Sequence, residues 1–141
     1  MTQPAAAVHS FDLRVYYEDT DFSARVYHAS YLRFLERART EMLREAGIHQ
    51  GALHQAEEPY FFVVRRMDIE WLKPALMDDW LRVETRVASQ RGPLLTLAQK
   101  ICRDQEVLLT AEVLVVSIKD NKPARLPEAL AQRFAVYAST G

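Results

Sequence analysis

Glu18, Asp19 and Asp21 fall within a four-residue window of the segment YEDTDFSARVYHASYLRFLERARTEML, residues 17 to 43. A strand-like run breaks at this acidic cluster, crosses a short polar loop and enters the most strongly helical stretch of the chain. A helix N-terminus presents unpaired backbone N–H groups and the positive end of the macrodipole, and both stabilise negative charge. A carboxylate placed there is suited to an active site. Aspartate is also common in turns, so the same three residues read equally as punctuation before a helix.

The elements that must hold this junction follow from periodicity. Phe11, Leu13, Val15 and Tyr17 alternate with Asp12, Arg14, Tyr16 and Glu18, the period of a strand with one buried face. Tyr31, Phe34, Leu35, Ala38 and Met42 recur at helical spacing, with Arg33, Arg37, Arg39, Glu41 and Arg44 on the other faces. Ser30 as N-cap and Gly47 as the stop residue predict a helix over 31–46. Residues 48–59 are irregular, punctuated by Gly51 and Pro59. Beyond them YFFVVRRMDIEWLKP predicts a long strand, with Phe61, Val63, Met67, Ile69 and Trp71 on one face. Residues 80–90 alternate, Gly92-Pro93 turns, 94–103 returns, Asp104-Gln105 turns again, and 107–118 is apolar on both faces, as a central strand would be. A short helix is predicted around 128–137.

This order is strand, long helix, then four strands in meander-like succession. It predicts an α+β fold, one long central helix wrapped by a five-stranded, predominantly antiparallel sheet. Residues 1–141 read as a single domain, with a loose tail over 1–9 and a short helix and tail over 127–141. Such a sheet leaves a face and an edge to cover, and a homo-oligomer, dimer or tetramer, would do so.

Composition narrows the classes. With 49% apolar and 26% charged residues in 141, the chain suits one globular core. Eighteen basic and nineteen acidic side chains nearly cancel, so no net field recruits nucleic acid or an anionic membrane. Cys102, the sole cysteine, has no intrachain partner and suits a reducing compartment. The opening MTQPAAAVHS lacks the basic start and apolar core of a secretory signal. No apolar run reaches the roughly 18 residues of a membrane span, so a cytoplasmic protein without an integral membrane segment is expected. His49, His54, Glu57 and Glu58 match no strong metal-ligand spacing, and the chain has neither a Gly-rich phosphate loop nor a Gly-x-Ser-x-Gly elbow.

VYYEDTD followed by VYHASYLRFLERARTEMLREAG, with FVVRRMDIEWLKPALMDD and the later PARLP, resembles the hotdog-fold thioesterases of the 4-hydroxybenzoyl-CoA thioesterase-like branch. Within that branch the chain looks like the acyl-CoA thioesterases associated with the Tol-Pal system of Gram-negative bacteria, over residues 11 to 127. The resemblance implies a hotdog fold and hydrolysis of an acyl-CoA to free acid and CoA. It implies Asp21 as the catalytic carboxylate and His28 as the residue whose main-chain N–H polarises the thioester carbonyl. No metal or organic cofactor is implied, since CoA belongs to the substrate, and an acyl carrier protein is a further candidate partner. An Asp of ordinary pKa, about 3.9, is ionised at neutral pH, so Asp21 can attack the carbonyl or take a proton from water. Tyr27 is expected to line the acyl pocket or to staple into the core. Asp19 and Glu18 are expected to shape the loop through backbone hydrogen bonds. The phosphates of CoA call for arginines at the pocket mouth, and Arg91 and Arg125 are the candidates.

The chain departs from its relatives directly after Asp21. They carry small residues, often glycine, in an Asp-Ala-Gly-Gly-Val pattern, whereas this chain reads Asp21-Phe22-Ser23-Ala24-Arg25. Glycine permits backbone angles and close approaches that Phe, Ser and Ala restrict. Arg25 is suited to a phosphate or to pairing with Glu18. The altered loop motivates an alternative, a non-catalytic module that binds acyl-CoA or acyl carrier protein. A hotdog hydratase is a third reading, but no motif around His28 supplies its acid/base pair.

Overall fold

A computed structural model describes residues 8–47 and 60–138. The long helix α1 spans His28–Glu45 and buries Tyr31, Phe34, Leu35, Ala38, Met42 and Leu43, the apolar stripe expected from the spacing. It begins three residues earlier than predicted. Tyr27, not Ser30, is the N-cap, in extended conformation with its N–H donated to Asp19 O at 2.9 Å, so the chain is free to turn helical from His28. Ser30 lies inside the first turn, its N–H on Tyr27 O. Gly47 ends the helix at φ +82°, as expected of a left-handed stop.

Strands β1 (His9–Arg14), β2 (Phe61–Trp71), β3 (Trp80–Arg91), β4 (Leu94–Arg103), β5 (Glu106–Lys119) and the two-residue β6 (Lys122–Pro123) form one sheet. Its order is β1-β3-β4-β5-β2, with β6 on β5, and every strand pair is antiparallel. A second helix, α2, covers Glu128–Ala135. Only β3, β4 and β5 form a meander. β2 crosses over to pair with β5, and β1 closes the other edge on β3. The helix face of the sheet carries Leu81, Val83, Val87, Leu97, Ile101, Leu109 and Val113, all buried against α1 in one core, the wrapped-helix arrangement of the hotdog fold. Each such side chain contributes about 1.5–3 kcal/mol.

Two expectations are corrected. β1 stops at Arg14 instead of continuing to Glu18, because a 3-10 turn at Tyr17–Asp19 follows, with the Asp19 carboxylate on Tyr16 N–H at 2.8 Å. In β2 a bulge between Val64 and Arg66 inverts the alternation, so Phe62 and Val64, and not Phe61 and Val63, join Met67 and Ile69 on the helix side. The outer sheet face is apolar toward one end, where Phe61 and Val63 are exposed, and polar toward the other. Asp68, Glu70, Glu84, Arg86, Lys100 and Glu112 line a cleft of about 530 Å³ there. The loose tail expected over 1–9 lies outside the described residues up to residue 7, and His9 already belongs to β1. The irregular stretch 48–59, with His49, His54, Glu57 and Glu58, also lies outside them.

Candidate active site

The acidic cluster and the start of α1 are knitted into one small hairpin. Asp21 N–H donates to Arg25 O at 2.8 Å, Tyr27 N–H to Asp19 O at 2.9 Å, and a bridge joins Thr20 to Val26. The returning arm rests on residues 75–77: Val26 N–H donates to Ala75 O, Met77 N–H to Ala24 O, and Arg25 bridges Leu76. The hairpin thus delivers the chain into α1 with Asp21 on one arm and His28 at the end of the other.

The three acidic residues part ways here. Asp19 is only 6% exposed and fixes the loop through Tyr16 N–H, the shaping role expected of it. Glu18 is exposed. Asp21 is exposed, and its Oδ1 accepts both Ser23 Oγ–H at 2.6 Å and Ser23 N–H at 2.8 Å. The Ser23 hydroxyl, then its N–H, hold the Asp21 carboxyl below its ordinary value, with Arg25 adding a smaller pull in the same direction. Arg25 makes no ion pair with Glu18 among the described residues; its charge is felt at Asp21.

At the helix end, the His28 N–H has no hydrogen-bond acceptor among the described residues, and Tyr27 provides no side-chain cap. The first turn therefore offers the donor and dipole that the sequence suggested. The His28 ring is exposed and packs on Trp71, centroid to centroid 4.9 Å, with the Tyr27 ring 6.5 Å away. Tyr27 is exposed, so it lies on this surface and is not stapled into the core. Beneath, the Tyr31 ring meets Trp71 edge-on at 5.1 Å, and its Oη accepts Ala75 N–H at 2.9 Å. Burial pushes the Tyr31 phenol up, against the Ala75 hydrogen bond and the charge of Arg103, which pull the other way.

Trp71, Tyr31 and Ser23 were not singled out for the site by the sequence. Tyr31 and Trp71 read as core from their spacing, and the Ser23 contact needs the turn geometry. Arg91 and Arg125 are brought to the same end of the sheet, where Leu126 N–H donates to Gly92 O. That end is remote from Asp21: β3 starts at Trp80 beside the site and reaches Arg91 eleven residues later, about 36 Å at 3.3 Å per residue. Both arginines are exposed. Among the described residues no three His, Cys, Asp or Glu side chains converge as metal ligands, and no helix is long and apolar enough to cross a membrane.

The model of the thioesterase-like superfamily matches residues 15–134. The acyl-CoA thioester hydrolase YbgC of Escherichia coli O6:H1 is 47% identical over 125 residues, spanning 86% of this chain and 92% of that protein. The acyl-CoA thioesterase YbgC of Haemophilus influenzae is 40% identical over 127 residues, 89% of this chain and 93% of that one. A probable thioesterase from Bartonella henselae superposes with a TM-score of 0.82 at 43% identity, covering 86% of this chain and 100% of its own. The chain therefore belongs to the thioesterase-like superfamily, has its hotdog fold, and is a thioesterase.

Proposed function

We propose that the chain hydrolyses acyl-CoA to free acid and CoA, with Asp21 as nucleophile or general base and the His28 N–H polarising the carbonyl. The observation that carries this reading is the hairpin that carries an exposed Asp21, its carboxyl held below the ordinary value, and leads directly into an uncapped helix N-terminus. In the nucleophilic route an Asp21 oxygen bonds to the carbonyl carbon, the C–S bond breaks, the thiolate leaves, and water hydrolyses the resulting anhydride. In the general-base route Asp21 takes a proton from water as the water oxygen attacks. Either way negative charge grows on the carbonyl oxygen, where one preorganised N–H is worth about 10²–10³ in rate. Neither route draws on a metal or organic cofactor.

A homodimer completes the site in this reading. β2 is an eleven-residue edge strand, paired on one side by β5 and, from Val63 to Trp71, by no strand on the other among the described residues. Antiparallel pairing of β2 with its copy brings the far end of one sheet, with Arg91 and Arg125, toward the Trp71 end of the other. The arginines then serve the phosphates of a substrate bound to the second copy. The free, buried Cys102 thiol supports a cytoplasmic home. An acyl carrier protein is an alternative carrier of the same thioester.

The second reading, a binding module without hydrolysis, draws on the Asp21 carboxylate being tied to Ser23. A thiol-release assay over short, long and aromatic acyl-CoAs decides between them. Release with turnover supports hydrolysis; saturable acyl-CoA binding without free thiol supports the module and refutes the enzyme.

A further inference from the structure

The hairpin that carries Asp21 rests on a splint of three consecutive residues. Ala75 O accepts Val26 N–H at 2.9 Å, Arg25 bridges Leu76, and Met77 N–H donates to Ala24 O at 3.0 Å. On either side of the splint the chain is pinned by backbone. Leu72 and Lys73 N–H both donate to Leu108 O, and Asp78 N–H donates to Val15 O. Between those pins, beyond the hairpin itself and a tight turn that puts Asp79 N–H on Leu76 O, the hydrogen bonds that hold the splint among the described residues come from side chains. Tyr31 Oη accepts Ala75 N–H, and Asp79 Oδ2 accepts Leu76 N–H at 2.8 Å. The same Asp79 oxygen takes Arg103 Nη1 at 2.7 Å, and that Nη1 also reaches Pro74 O at 3.4 Å.

Arg103 is placed to hold that oxygen. It ends β4 and faces Glu106 in register across the Asp104-Gln105 turn, so its Nη2 meets Glu106 Oε1 at 2.6 Å. This local prong sets the plane of the guanidinium, and the other prong reaches back 24 residues to Asp79. Asp79 first, then Glu106, raise the Arg103 pKa, as charge-assisted bonds to both prongs of a planar fork should. The Arg103 and Asp79 side chains are 28% and 19% exposed, so salt screens their pairing less than that of a surface pair. Glu106 has a second cation, Lys73 Nζ at 2.7 Å, whereas Arg103 is the one cation paired with Asp79 among the described residues. The contacts therefore run from the guanidinium through one carboxylate oxygen to Leu76, and from the splint to residues 24–26. There Arg25 O accepts the N–H of Asp21 at 2.8 Å.

We propose that Arg103 is a positioning residue for hydrolysis, acting through Asp79 and the 75–77 splint to fix where the Asp21 carboxylate stands relative to the start of α1. This rests on the acyl-CoA thioesterase reading above. The test is thiol release from acyl-CoA by the wild type, Arg103→Met, Asp79→Asn, their double variant and Glu106→Gln, with Asp21→Asn as control. Each is assayed at a temperature where circular dichroism shows it fully folded. A reacting group misplaced by about 1 Å costs on the order of a hundredfold, so Arg103→Met should lower kcat by about ten- to hundredfold with KM within about threefold. Asp79→Asn keeps an oxygen for Leu76 N–H but loses the ion pair, and kcat should again fall while KM holds. The two residues act as one unit, so the double variant should fall no further than the worse single one. Glu106→Gln loosens only the prong that is bonded to no residue of the splint, and its kcat should stay within about twofold of wild type. Wild-type kcat in Arg103→Met or in Asp79→Asn overturns the proposal. So does an equal loss in Glu106→Gln, which would mark the network as general support for this end of the sheet, and so do losses that add in the double variant. Should Arg103→Met fail to fold, the contrast between Asp79→Asn and Glu106→Gln carries the same decision. Any of these overturning results beside an inert Asp21→Asn leaves the thioesterase reading standing. Full activity in Asp21→Asn, or no thiol release by the wild type from any acyl-CoA, overturns that reading and the proposal with it.

Discussion

Replacing Tyr31 by Phe removes one oxygen and tests how the site is held. The Tyr31 side chain is 4% exposed, and its Oη is the acceptor for Ala75 N–H at 2.9 Å, in a residue with no exposed surface. Phenylalanine keeps the ring against Trp71 and Phe34, so no large cavity forms. What is lost is the acceptor, and an orphaned buried N–H costs about 1–3 kcal/mol. At roughly 4 °C per kcal/mol for a chain of this size, Tm should fall by about 4–12 °C. The effect should reach the chemistry, because Ala75 O accepts Val26 N–H and so anchors the hairpin that carries Asp21. Thermal unfolding followed by circular dichroism gives the first quantity, and thiol release gives the second, with kcat falling more than KM rises. Alkaline titration adds a signed check. Burial raises the folded phenol above its unfolded value of about 10, so its stabilising contribution is full below that pH and is lost as pH rises through the folded value. That loss should be smaller in the variant. An unchanged Tm together with full activity in Tyr31→Phe would refute the reasoning that this phenol holds the 75–77 segment under the site.

Two further outcomes concern the altered loop. Ala24 sits at φ +63°, where a Cβ costs about 1–2 kcal/mol, so Ala24→Gly should gain that amount less the roughly 0.4–1 kcal/mol of extra freedom in the unfolded chain. A rise in Tm of a few degrees is expected, and a fall would contradict the strain. Ser23→Ala removes the largest cause of the lowered Asp21 carboxyl. A depressed group loses its ionised form only as pH falls through its folded value, so the acid limb of kcat/KM should move to higher pH in the variant, and an unmoved limb would separate Asp21 from the rate.

Much of this arrangement was legible in the chain because its signals are local. The stripe from Tyr31 to Met42, the Asp104-Gln105 turn, with Asp104 at φ +54°, and the bounds of β4 follow from spacing and turn chemistry. Three features were not legible, each because it depends on a partner distant in sequence or on a single residue of phase. The bulge at Val64 and Arg66 adds one unpaired residue, which a period of two cannot register. The early start of α1 depends on Asp19 O capturing Tyr27 N–H, and a serine at position 30 is a misleading signal beside it. The crossing of β2 to β5 is a matter of topology, and it leaves Arg91 and Arg125 at the far end from Asp21 within one chain. For the site itself, the carboxylate and the helix N-terminus were readable, whereas the Ser23 tether on Asp21 and the Trp71 ring on His28 come only from the folded geometry.

The most direct test of the central claim is thiol release by Asp21→Asn with wild type in parallel on the best acyl-CoA substrate. Asn keeps the shape of the exposed side chain and its acceptor for the Ser23 hydroxyl, so the fold and Tm should hold while hydrolysis falls by at least about a thousandfold, as expected for removal of a nucleophile or base. An Asp21→Asn protein that folds and hydrolyses at the wild-type rate would contradict the assignment of the reaction to this carboxylate.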